Sequence, residues 1–89
     1  MVNDLQPQID NSFNNLIQLL NAESDINNGI LPFLQYVKDK RTLTQQADNE
    51  NQIKEIIRGI NRYADEFEFS DTNAKKIKAH IELLYDLAN

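Results

Sequence analysis

Ile53, Ile56, Ile57, Ile60, Tyr63, Ala64 and Phe67 recur at intervals of three and four residues, and no other feature constrains the fold as much. Residues so spaced share one face only when the chain is helical. Asn49 and Gln52 precede the stripe with the Asn-x-x-Gln spacing of a capping box. A helix is therefore predicted over about residues 50–66. Gly59 interrupts it at a cost of about 1 kcal/mol relative to Ala if exposed. Close approach of a second helix explains that glycine equally well.

The same periodicity recurs three more times. Leu5, Ile9, Phe13, Leu16, Ile17 and Leu20 predict a helix near 4–21, with Asn3 or Asp4 as its cap and Pro7 tolerated in its first turn. Glu23 to Gly29 reads as a loop, with Asn27-Asn28-Gly29 as the turn signal. Ile30, Leu31, Phe33, Leu34 and Val37 then mark a shorter helix over 30–41, opened by Pro32. Lys38, Lys40 and Arg41 fall at its expected C-terminal end, where positive charge complements the helix dipole. Thr42 to Ala47 is polar apart from Leu43 and reads as a connection. The last helix is predicted over 71–87, capped by Ser70 or Asp71, with Phe69 as a hydrophobic staple. Its inner face is Ala74, Ile77, Ile81, Leu84 and Leu87 or Ala88.

Four amphipathic helices with short connections predict an all-α fold, an antiparallel up-down-up-down four-helix bundle. A three-helix bundle with the first two helices fused is the alternative, and Asn27-Asn28-Gly29 with Pro32 argues against it. With 89 residues there is room for one domain, spanning 1–89.

The net charge is −5 and unevenly spread. Residues 1–37 hold four acids and no Lys or Arg, whereas 71–89 hold three of each sign. Such a balance lacks the basic footprint of nucleic-acid binding and of polybasic membrane attachment. The absence of cysteine rules out disulfides and thiolate metal sites. Met1-Val2-Asn3-Asp4 has no signal-peptide character, and the uncharged run 26–37 is too short and polar to span a bilayer. The expected address is the cytoplasm. Twelve Asn and seven Gln are many for a helical chain, and they fit a compositional bias of the source.

Catalytic equipment is sparse. His80 is the sole histidine and lies beside the inner stripe of the last helix, as a boundary residue would. Gly29 and Gly59 stand apart, so no glycine-rich phosphate loop exists. Asp65, Glu66, Glu68 and Asp71 crowd one turn but lack the spacing and glycine of a calcium loop. The expectation is a non-enzymatic protein with no catalytic, cofactor-binding or metal-ligating residues.

Interaction residues are easier to nominate. Lys75, Lys76 and Lys78 occupy the first half of the last helix, where the dipole disfavours positive charge. Arg58 and Arg62, four apart on the third helix, would join them in a basic surface. Tyr36 and Tyr85 fall off their stripes and are candidates for partly exposed aromatics, a residue type enriched at binding hot spots.

The order of these parts resembles the enterocin A/pediocin-like bacteriocin immunity proteins. The likeness covers about residues 30–88 and is carried by Ile56-Ile57-Arg58-Gly59-Ile60-Asn61-Arg62-Tyr63, by Phe69-Ser70, and by Ile77, Ile81 and Leu84. These are packing and capping features. The resemblance implies a cytosolic four-helix bundle that protects its producer without catalysis. It implies recognition of a membrane sugar-transporter receptor, the mannose phosphotransferase system, once the bacteriocin has engaged it. Specificity would lie in the C-terminal half, on Arg58, Arg62, Lys75, Lys76, Lys78 and Tyr85, acting as a surface. A monomer is expected. The rival expectation is a small helical adaptor or regulatory protein of phage or plasmid type that binds a protein partner.

Overall fold

The computed structural model describes residues 6–88. Four helices, α1 (Gln6–Ser24), α2 (Leu31–Gln45), α3 (Glu50–Ala64) and α4 (Ala74–Ala88), form an antiparallel four-helix bundle. Each helix packs on its neighbours in chain order, α1 closes the ring against α4, and the backbones of the diagonal pairs stay further apart. The bundle is 18 Å across in both short directions, which is two helices of roughly 10 Å each. Ile9, Phe13, Leu16 and Leu20 of α1 meet Phe33, Leu34 and Val37 of α2 in the core. Ile53, Ile57 and Ile60 of α3 meet Ile77, Ile81 and Leu84 of α4 there as well. The predicted stripes thus supply the core, except that Leu31, expected on the buried side of the second helix, is turned about 100° from the buried Ile30 and is 48 % exposed. Ile17 and Ile56 are only half-buried. Leu5 and the proposed cap at Asn3 or Asp4 lie outside the described residues.

Three helix boundaries differ from the sequence expectation by three or four residues. The first helix runs on to Ser24, and Glu23, expected in a loop, is helical and fully buried. A single 3-10 turn, Asn28–Ile30, then leads directly into α2. The second helix extends to Gln45, with Thr44 buried on its inner face and the threonine hydroxyls satisfied within the helix: Thr44 Oγ1 donates to the Arg41 carbonyl at 2.7 Å and Thr42 Oγ1 to that of Lys38 at 3.4 Å. Lys38, Lys40 and Arg41 consequently sit a turn inside α2, whose last turn has no base. Lys40 Nζ instead lies 5.0 Å from the centre of the Tyr36 ring, a cation–π contact. Helix α4 begins at Ala74, behind a turn over 71–73.

A side-chain cap explains where α3 starts. Asn49 Oδ1 accepts from Gln52 N at 3.0 Å, while Gln52 Oε1 accepts from Asp48 N at 2.7 Å. That is the expected capping box, with its return bond reaching one residue further back. Ser70 opens the approach to α4 with its carbonyl, which accepts from Asn73 N and Ala74 N. Its hydroxyl is not spent on that helix; it donates to Glu23 Oε1 at 2.6 Å.

Gly59 is explained by a close approach. A Cβ at this position would lie 2.9 Å from the Tyr36 hydroxyl, whose ring is packed 4.6 Å from that of Tyr63. Gly59→Ala is expected to change stability little, because a helix-propensity gain of about 1 kcal/mol is offset by displacing that hydroxyl. In a Tyr36→Phe background the same substitution should recover the full gain of about 1 kcal/mol in urea unfolding. Equal effects in both backgrounds would show that the hydroxyl does not dictate the glycine.

Candidate partner-binding surface

Burial of Ile57, Ile60 and Ala64 against Ile77, Ile81 and Leu84 fixes how α3 meets α4, and so fixes the flank beside that seam. Arg58 and Arg62 are one turn apart on the outer side of α3, both exposed. Together with Glu55, Asn61 and the half-buried Tyr85 of α4 they line an open groove of about 380 Å³. Asn61 also lines a second groove of about 210 Å³ further along the seam, where Asp65, Lys78 and Glu82 surround the apolar Ala64, Phe69 and Ile81.

The proposed basic surface is therefore resolved into parts. Arg58, Arg62 and Tyr85 are brought together in one groove, and Lys78 borders the adjoining one. Lys75 shares the Lys78 face of α4, being three residues away, but lines neither groove. Lys76 is turned about 100° from Lys75, onto the flank of α4 away from α3. Acids are interleaved with the bases. The first groove has Arg58 and Arg62 against Glu55, and the second has Lys78 against Asp65 and Glu82. Arg58 Nη1 donates to Glu55 Oε1 at 3.1 Å, whereas Arg62 and Lys78 have no carboxylate within ion-pair distance among the described residues. The flank thus changes sign along its length, positive at Arg58 and Arg62 and negative at Asp65 and Glu82. Glu55 was detectable in the sequence from its three-residue spacing to Arg58, and Glu82 from its four-residue spacing to Lys78.

Tyr36 is half-buried against the core and packed at a tilt against Tyr63, so it serves packing. His80 is half-buried, with its Nδ1 shielded from solvent and unbonded among the described residues. A further, wider depression of about 650 Å³ lies outside the nominated surface, at the α2–α3 connection. Its lining combines the apolar Leu43, Ala47 and Ile56 with the polar Gln46, Asn51 and Gln52. Among the described residues no group of three His, Asp or Glu side chains converges as a metal site, and no helix is long and apolar enough to cross a membrane.

The most elaborate polar site was not foreseen from sequence. Glu23 is wholly buried at the end of α1, beneath the 65–73 connection. Its Oε2 accepts from Ser70 N at 2.6 Å and Asn27 Nδ2 at 3.0 Å, and its Oε1 from the Ser70 hydroxyl at 2.6 Å and Asn73 Nδ2 at 2.9 Å. Asn27 Nδ2 also donates to the Glu68 carbonyl at 2.8 Å. Burial alone would raise this carboxyl's pKa, but the Ser70 hydroxyl, the Ser70 N–H, Asn73 and Asn27 outweigh it and lower it to about 2. All its acceptor capacity faces protein donors, so this carboxylate ties helices together and presents nothing to a ligand.

The chain matches no family model, no curated protein and no solved structure.

Proposed function

We propose that this protein is an immunity protein against a pediocin-like bacteriocin, acting by protein recognition through the α3–α4 flank. The observation that supports the reading is the grouping of Arg58, Arg62 and Tyr85 in one groove on the helix pair to which the family resemblance assigns specificity. Arg and Tyr are enriched among residues that dominate binding energy. A packed helix also has less backbone freedom to lose on binding than a loop does. On this reading the protein acts from the cytosolic side. It docks on the sugar-transporter receptor after the bacteriocin has engaged it, and blocks the pore without bond making or breaking.

Expression in a bacteriocin-sensitive strain, with survival scored against a panel of pediocin-like peptides, tests the proposal. Protection against at least one peptide is expected, reduced at least about tenfold in the Arg58→Gln/Arg62→Gln variant, the scale of losing charge-assisted hydrogen bonds at a hot spot. Absence of protection against every peptide, with the protein folded and abundant, would overturn it.

A further inference from the structure

We propose that the groove lined by Arg58, Asn61, Arg62 and Tyr85 is a receptor for a carboxylate carried on an acidic segment of the partner protein. The proposal deepens the reading above and rests on it for the partner's identity. Although the chain carries −5 overall, this groove holds two guanidinium groups and one carboxylate. Glu55 engages a single nitrogen of Arg58, leaving most of that group's five donors unspent. Arg62 is exposed and has no carboxylate within ion-pair distance among the described residues. One turn apart, the two guanidiniums suit the forked hydrogen bonding that makes Arg the preferred partner of carboxylates. Asn61 contributes an amide between the two grooves, and the Tyr85 ring supplies an apolar wall for the stem of the incoming side chain.

Charge decides the occupant. An anionic bilayer presents charge over a wide plane, and it would meet Asp65 and Glu82 beside the arginines and an acidic molecule behind them. A single acidic side chain needs only the first groove, whose lining includes one carboxylate, Glu55, already engaged by Arg58, and neither Asp65 nor Glu82. An acidic protein segment is thus favoured over a membrane surface.

The test uses the full chain, labelled with ¹⁵N and titrated at low salt with a capped glutamate-rich hexapeptide and with its glutamine counterpart. The glutamate peptide is expected to shift the amides around 58–62 and Tyr85, with the Arg62 side-chain N–H among the largest. Affinity should fall about tenfold in Arg62→Gln, should not be restored by Arg62→Lys, and should weaken with added salt. Lys76→Gln, on the other flank, should bind as the parent does. Equal shifts from both peptides, or none from the glutamate peptide, would overturn the proposal. So would Arg62-dependent binding to phosphatidylglycerol vesicles without a peptide response. Peptide binding in a protein that protects no cell would remove the immunity reading and leave the carboxylate site. Full protection by Arg62→Gln would do the opposite.

Discussion

Replacing Glu23 with alanine is expected to remove about 3–5 kcal/mol of stability, the largest polar effect in the molecule. A chain of 89 residues has roughly 5–13 kcal/mol in total, so the loss would move the urea midpoint far toward zero. The cost arises less from the missing carboxylate than from what it leaves behind. The Ser70 N–H, the Ser70 hydroxyl and the Asn73 amide would all face a cavity instead of an acceptor. Glu23→Gln keeps the volume but turns an NH₂ group toward some of those donors, and about 2–4 kcal/mol should be lost. The folded-state pKa of about 2 lies below the ordinary value of 4.5, so ionised Glu23 stabilises the fold. That contribution is complete above pH 4.5 and declines as pH falls toward 2, about 3 kcal/mol in all. Urea unfolding followed between pH 7 and pH 2 should show this decline in the parent and a flatter profile in Glu23→Gln. Identical pH slopes in the two proteins would refute the stabilising role of ionised Glu23.

The apolar core was legible because its rule is local. Ile9, Phe13, Leu16 and Leu20, or Ile53, Ile57 and Ile60, announce a buried face by spacing alone, and all are at most 1 % exposed. Asn49 and Gln52 were legible for the same reason, since both ends of a capping box lie within four residues. Glu23 was not legible. Its ligands Ser70 and Asn73 are 47 and 50 residues away, and a glutamate before Ser24 and Asp25 has the composition of a loop. The end of α2 was misread because Thr42 and Thr44 lower helix propensity in isolation, whereas here their hydroxyls are satisfied within the helix and Thr44 is buried.

The nominated surface divides along the same line. Arg58 and Arg62 share a helix face by their four-residue spacing, and that part needed no tertiary knowledge. Tyr85 reaches the same groove only because the register of α3 against α4 places it there. Lys76 was grouped with Lys75 and Lys78 by adjacency in the sequence, yet neighbours in a helix are about 100° apart. Three lysines within four residues read as a patch in one dimension and as two flanks in three.

Phe33→Ala is the second large effect expected, a loss of about 3–5 kcal/mol. Phe33 is fully buried at the start of α2, with ring centres 5.9 Å from Tyr63, 5.3 Å from Phe67 and 5.9 Å from Phe69. Removing the ring opens a cavity and ends three tilted aromatic contacts, each about 0.5–1.5 kcal/mol beyond area burial. Two of those partners, Phe67 and Phe69, belong to the connection that Glu23 holds through Ser70, the next residue. The aromatic hub and the buried carboxylate therefore anchor one segment from two sides, and their effects should not add. The milder pair Phe33→Leu and Glu23→Gln keeps the chain folded enough to measure, and the double variant should lose less than the sum by at least about 0.5 kcal/mol. Once either anchor is released the connection relaxes, and the other has less left to hold. Strict additivity in urea unfolding would mean two independent anchors, with the entry to α4 set by each separately.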